Sequence, residues 1–334
     1  MLDYSNRFKF LSILVVALSA QALGQSYKYF RLGHTEDAHT KPVPGYALMG
    51  GGKDLDPAFK WLCDRASGGD FLVLRASGDK DYNPYIKGLC KANSVATLIL
   101  PDKAAALAPQ VAAIMRQAEA IFIAGGDQAK YLNLWAETPV QEEINAAIER
   151  GVPIGGTSAG LAVMSEFVYS AQGDAPDDPD LTSALALANP FYPRVTVRRR
   201  FMEIPILKNT LTDTHFRKRD RMGRTLVFLA RIVQDGWSQD PREIAVEEKA
   251  AVLLEPSGAA TVVGSGPAYF MQVTRAPEVC RAGEPLTFRE IAVRRVEPGG
   301  HFDVGKWQGT DGRSYSLSVE KGVIQSTAPS GEVY

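Results

Sequence analysis

Val152-Pro153-Ile154-Gly155-Gly156-Thr157-Ser158-Ala159-Gly160-Leu161 is the stretch of this 334-residue chain that decides its fold. The short apolar run Val152–Ile154 reads as a buried strand and Leu161–Ser165 is compatible with a helix, so the Gly-rich string between them is a tight strand-to-helix turn. Working outward, Tyr46–Met49, Phe71–Leu74, Ala96–Leu100 and Ala120–Ala124 are similarly unbroken apolar runs, as strands covered on both faces require. Helix candidates lie between them at Pro57–Ala66, Pro109–Gln117, Ala129–Trp135 and Val140–Arg150. Pro57 and Pro109 suit a first turn, where a missing N–H removes no hydrogen bond. Strand, helix and strand in succession give right-handed crossovers and an α/β fold with a mostly parallel sheet flanked by helices. Ligands of such sheets sit at the carboxyl ends of the strands.

With 45% hydrophobic and 22% charged residues the chain can bury a large core. Lys+Arg at 37 against Asp+Glu at 38 gives no electrostatic basis for nucleic-acid binding. Cys63, Cys90 and Cys280 form no metal-ligand pair and allow one disulfide at most, leaving at least one thiol, expected to be buried. Arg7 and Lys9 precede an apolar run, Phe10–Ala20, followed by small Ala20, Ala22 and Gly24. This is the pattern of an export signal over residues 1–24, cut before Gln25; an uncleaved anchor is the alternative. That apolar run is too short to span a bilayer and no other approaches the length needed, so an exported protein with no membrane span after cleavage is expected, periplasmic or extracellular. The acidic stretch Gly173–Asp180 does not match an EF-hand loop and reads as a solvated turn rather than a calcium site. After Arg281 short alternating strands with Gly-rich turns take over. The expected organisation is a domain over 25–281 and a β extension over 282–334 packed on its sheet edge.

In a G-x-S-x-G string between strand and helix, a serine rides a strained elbow that pushes its hydroxyl out above the sheet, which makes Ser158 the candidate nucleophile. The N–H of Ala159 opens the helix and points to where an oxyanion forms, and the helix dipole adds positive potential there. The plainer account is a capping serine in a Gly-rich turn. A second Gly turn, Gly125-Gly126-Asp127-Gln128, lies beside the elbow in a parallel sheet. Gly126 could supply the other oxyanion N–H, and Asp127 and Gln128 could contact a polar substrate, with Asp127 also suited to cap a helix.

A serine hydroxyl is a weak nucleophile until a base takes its proton. Of four histidines, His34 and His39 lie near the export signal and His301 in the tail. His215 ends the apolar run of Leu211-Thr212-Asp213-Thr214-His215-Phe216, before a basic helix expected over Lys218–Arg231, where a base can face the elbow. Glu247 and Glu248 follow the strand-like Glu243–Val246, and either could orient the imidazole. The usual hydrolase order of Ser, acid and His would use His301 instead. Arg217, Arg221 and Arg224 share a face of the expected helix, either solvated or matched to a substrate carboxylate. A general esterase using Ser158 with His301, and a non-catalytic exported binding protein for acidic peptides, are the competing readings.

Three strings together resemble the serine peptidase family of cyanophycinase and the aspartyl dipeptidases: Ile123-Ala124-Gly125-Gly126-Asp127-Gln128, Gly155-Gly156-Thr157-Ser158-Ala159-Gly160, and Asp213-Thr214-His215-Phe216 continuing to Arg219-Asp220-Arg221-Met222-Gly223-Arg224. The resemblance runs from about Gly45 to the end of the chain. Phe71–Gly78 and Asn83–Ile86 look like the cyanophycinase-related exopeptidase branch. It implies a flavodoxin-like, class I glutaminase-like sheet and a Ser-His-Glu set falling on Ser158, His215 and Glu248. Gln128 and Arg224 match positions associated with substrate binding, and Asp127, Thr157 and Asp213 in the same strings join them as candidates. The implied activity is hydrolysis of cyanophycin or of aspartyl and β-aspartyl peptides without metal or organic cofactor, by a homodimer. Cyanophycin is polyaspartate bearing arginine on its side-chain carboxyls. The basic stretch Val195–Phe201, if it faced the cleft, would repel those guanidinium groups and attract aspartate carboxylates.

Overall fold

A computed structural model describes residues 26–173 and 180–334. The leader expected over 1–24 and the interior of the acidic stretch 173–180 lie outside the described residues. Five buried strands, Tyr46–Met49, Asp70–Arg75, Ser94–Ile99, Ala120–Ile123 and Ile154–Thr157, alternate with helices Asp56–Arg65, Tyr82–Leu89, Pro109–Arg116, Gln128–Trp135 and Pro139–Glu149. Helix Asp56–Arg65 illustrates why. Proline sits in its first turn, and Ala58, Phe59, Leu62 and Cys63 form one buried face. The Phe59 ring lies 4.6 Å from that of Phe122 and 6.3 Å from that of Phe71, both on strands beneath it.

The five strands pair in parallel, in the order Ser94–Ile99, Asp70–Arg75, Ala120–Ile123, Ile154–Thr157, Tyr46–Met49. The sequence leads one to expect a single, mostly parallel sheet, and the structure corrects this to two mixed ones. Lys28–Gly33 joins the first sheet antiparallel at one edge, and Ala250–Leu254, Ala259–Gly264 and His301–Asp303 join antiparallel at the other. The second sheet runs Val323–Ser326, Arg313–Glu320, Phe288–Val296, Ala268–Gln272, Arg242–Val246, Thr210–Asp213, Phe167–Tyr169, Val197–Arg199. Only the pairings of Thr210–Asp213 with its two neighbours there are parallel. The reason is connection length: short turns after residue 254 make hairpins, and only a long crossover can return a strand in parallel.

The largest apolar cluster lies between the sheets, joining Leu48, Ile123 and Ile154 of the first to Ile244, Val246 and Phe270 of the second. A second cluster buries helix Met222–Gln234 against the other face of the second sheet. That helix begins four residues later than the sequence suggests. Residues 216–220 form a turn that follows positive φ at His215 and ends with positive φ at Asp220, so Arg217 and Arg221 precede the helix and do not share its face with Arg224. No helix among the described residues is long and apolar enough to cross a membrane.

Candidate active site

Ser158 stands between strand Ile154–Thr157 and the short helix Ala159–Ala162 with φ +53° and ψ −118°, a conformation that side chains rarely adopt. Its strain is fixed by close packing on both sides. A Cβ on Gly160 would come within 2.0 Å of the Ile123 carbonyl oxygen, and one on Gly156 within 2.6 Å of the Gly160 backbone. The elbow therefore tolerates only glycine at these positions, and it turns the Ser158 hydroxyl toward the second sheet.

There the Ser158 Oγ meets His215 Nε2 at 2.7 Å, and His215 Nδ1 meets Glu248 Oε1 at 2.7 Å. His215 follows strand Thr210–Asp213 and Glu248 follows strand Arg242–Val246, two parallel neighbours of the second sheet that end side by side. Glu248 stands where the chain leaves that sheet to enter the first at Ala250. Its neighbour Glu247 does other work, accepting hydrogen bonds from the N–H groups of Arg217 and Lys218. His301 pairs with Asp311 on the exposed edge strand His301–Asp303 and takes no part in this arrangement. His34 and His39 are exposed.

The loop Gly50-Gly51-Gly52, which carries no side-chain chemistry in the sequence, clamps His215. The Gly50 carbonyl accepts from the His215 N–H at 2.8 Å and the Gly51 carbonyl from the Lys249 N–H at 2.9 Å. Gly51 has φ +95°, and a Cβ there would lie 2.5 Å from the imidazole. Three glycines directly after a buried strand were the available signal, since such a string allows another chain segment to approach closely.

Burial lowers the pKa of His215 below its ordinary 6.5; the hydrogen bond to Glu248 opposes this, and the Arg219 and Arg221 charges reinforce it. Glu248 is held below the usual carboxylate range by its hydrogen bond to His215, against a smaller effect of burial. At neutral pH the pair is a neutral imidazole beside a carboxylate, the state in which Nε2 can accept the Ser158 proton.

A cavity of about 280 Å3 opens over Ser158. Gly126 and Ala159 line it, as do Asp127 and Gln128 at the start of helix Gln128–Trp135, whose N-terminus Asp127 caps through the Ala129 N–H at 2.9 Å. Arg219, Arg221, Tyr169 and Arg194 also line it, the last two unforeseen from sequence because they come from the second sheet and the loop before its edge strand. Arg224 reaches the wall but is consumed by Asp213: both are buried, the guanidinium grips the carboxylate with two hydrogen bonds, and the Tyr169 ring lies 4.8 Å from its centre. Burial would raise the pKa of Asp213, but Arg224 and Arg221 outweigh it and hold the group ionised. Thr157 does not line the cavity. It lies beside Asp54, whose carboxylate accepts from the Tyr82 hydroxyl at 2.7 Å. Nor does the basic stretch around residue 198 enter the cavity: Arg199 pairs with Glu166 and lies over the rings of Phe167 and Trp237.

Comparison with known proteins relates the chain to a family. Residues 48–212 match the model of peptidase family S51, a span that includes Ser158 and ends before His215 and Glu248. A cyanophycinase of Trichormus variabilis is 25% identical over 218 residues, covering 63% of this chain and 65% of its own length. A cyanophycinase of Geminocystis herdmanii is 29% identical over 194 residues, covering 55% and 62%. The matched part thus spans less than two thirds of either relative. The crystal structure of a peptidase from an acI-B1 actinobacterium shares the fold, with a TM-score of 0.50 at 17% identity over 79% of this chain and 98% of that one. By sequence and by fold, this chain is related to peptidase family S51, with cyanophycinases among its relatives.

Proposed function

We propose that this protein is an exported serine-type exopeptidase that hydrolyses cyanophycin or aspartyl and β-aspartyl peptides through an acyl-enzyme. The observation that carries the reading is the chain of two 2.7 Å hydrogen bonds from Ser158 through His215 to Glu248, anchored on a strained elbow. His215 takes the Ser158 proton as the hydroxyl attacks the scissile carbonyl, and the N–H groups of Ala159 and Gly126 receive the oxyanion. Glu248 stabilises the imidazolium, which then protonates the leaving amine. Water enters, gives a proton to His215 and releases the acyl group, restoring Ser158. Each oxyanion donor is worth about 2.7–4 kcal/mol in the transition state.

The substrate class rests on charge: Arg219 lines the cavity, and a guanidinium favours a carboxylate, which supports an aspartyl substrate, whereas Arg221 is bonded to Asp213 and Thr214. Export is supported by the Cys63–Cys90 disulfide, since such bonds persist in oxidising compartments. The proposal includes a leader over 1–24, a peptidase domain over 25–281 with its β extension over 282–334, and a homodimer, which sedimentation would test.

The decisive experiment incubates purified protein with cyanophycin and with a panel of α- and β-aspartyl dipeptides. Hydrolysis of at least one, abolished in Ser158→Ala and in His215→Ala, is the expected result, together with a covalent adduct of a serine-directed reagent on Ser158 by mass spectrometry. Capture of acidic peptides with no adduct and no cleavage would make the protein a binding module instead.

A further inference from the structure

Beyond residue 212, where the family match ends, the strands Ala268–Gln272, Phe288–Val296 and Arg313–Glu320 form the floor of a groove of about 550 Å3, walled by Phe302 and Trp307. The pairing register lays out that floor. Gln272, Ala292 and Ser316 stand side by side in one row, and Phe270, Arg294 and Ser314 in the next. The alternating residues Met271, Val293 and Tyr315 point into the core on the opposite face. Arg242 lies opposite Gln272 in register and shares its face, with its guanidinium 4.9 Å from the centre of the Trp307 ring.

Arg242 is half-buried, its Nε is buried without a partner, and its guanidinium makes no hydrogen bond or ion pair among the described residues. Arg294 has a single long hydrogen bond, 3.4 Å to the Asp311 carbonyl. No carboxylate lines the groove, and the nearby Asp303 and Asp311 are taken by Lys306 and His301. A guanidinium withdrawn from water without a counter-charge is unfavourable by itself and is prepared for an anion, and the aromatic ring fixes its plane. Glu248 lies six positions after Arg242, the strand between them ending at Val246. At ~3.3 Å per residue the groove lies at most about 20 Å from the catalytic set in a line through the core, so a polypeptide that touches both must be longer and run over the surface.

We infer that this groove binds the carboxylate-bearing chain of an acidic polypeptide, as a second, non-catalytic site that holds a long substrate while its end is cut. The identity of the ligand rests on the peptidase reading; the anion preference rests on the groove alone.

The test titrates labelled poly-L-aspartate into full-chain Ser158→Ala protein, with poly-L-lysine as the control. Expected are salt-sensitive binding of the first and none of the second. Arg242→Gln with Arg294→Gln should weaken binding at least about tenfold, the loss of two charge-assisted contacts. Ser314→Glu, at an exposed position outside the core, should do the same without disturbing packing. With Ser158 present, these variants should cleave a β-aspartyl dipeptide at the parent rate and a long acidic chain more slowly. Three results would overturn the inference: affinity for poly-L-aspartate unchanged in both groove variants, binding lost in Arg219→Gln but kept in the groove variants, or groove variants that convert a dimer to a monomer by sedimentation. Because the titration needs no turnover, an inactive protein leaves it readable, and a groove that fails leaves the peptidase reading standing.

Discussion

In the proposed mechanism Ser158 is activated only by an uncharged His215, and the surroundings of that ring set the pH at which this holds. Burial lowers its pKa below 6.5, so kcat/KM should rise with pH along an acid limb centred below that value and be level at neutral pH. Arg219→Gln removes a positive neighbour and should move the limb upward; a pH–rate profile reads both. Glu248→Gln should reduce kcat by about four orders of magnitude, as expected when the orienting carboxylate of such a set becomes an amide that favours the wrong tautomer. Arg224 invites a different measurement. Its sequence position suggests a substrate contact, but its charge is spent on buried Asp213. Arg224→Met should therefore destabilise the fold by about 3–5 kcal/mol in urea unfolding, the usual penalty for stranding one member of a buried pair.

At the level of strands, turns and helices, the Gly-rich loops position Ser158 and His215. Gly51→Ala should keep the fold and displace the imidazole, with kcat falling about a hundredfold, since misplacement by about 1 Å has that effect. Circular dichroism beside kinetics would check it. These loops also show what could be read in advance. Four of the five parallel strands and four of the helices between them were legible because continuous apolar runs and first-turn prolines are local signals, whereas the fifth strand, Ile154–Thr157, overlaps the expected run only at Ile154 because its glycines read as a turn. The pairing of Ser158 with His215 was legible from motif resemblance, whereas Glu247 and Glu248 are chemically alike, and only the direction of the chain as it leaves Val246 separates them. The second sheet was invisible as such: Thr210–Asp213 and Arg242–Val246 are short, and nothing within them says which neighbours they take. The start of helix Met222–Gln234 was misplaced because arginine and lysine favour helices, while the positive φ of His215 and Asp220 is imposed by contacts from elsewhere.

Over the whole molecule, covalent and apolar cross-links divide the task of stability. Cys63 and Cys90, 27 residues apart, tie helix Asp56–Arg65 to the residue that ends helix Tyr82–Leu89. Closing a loop of that size is worth about 3.5 kcal/mol in the chain-entropy account. Cys63→Ala with Cys90→Ala should lower the urea midpoint accordingly and leave the parent kcat, since neither residue lines the cavity. Cys280 is buried, with its thiol pushed up to about 11, so it should resist alkylation until the protein is unfolded. Ser158 belongs to one sheet and His215 to the other, so hydrolysis by the proposed mechanism would report their alignment. A slip of an ångström between the two layers, too small to change spectroscopic measures of structure, would part the serine from the imidazole. Heat inactivation should accordingly run ahead of melting, and the interval between the two curves would measure how firmly the layers grip.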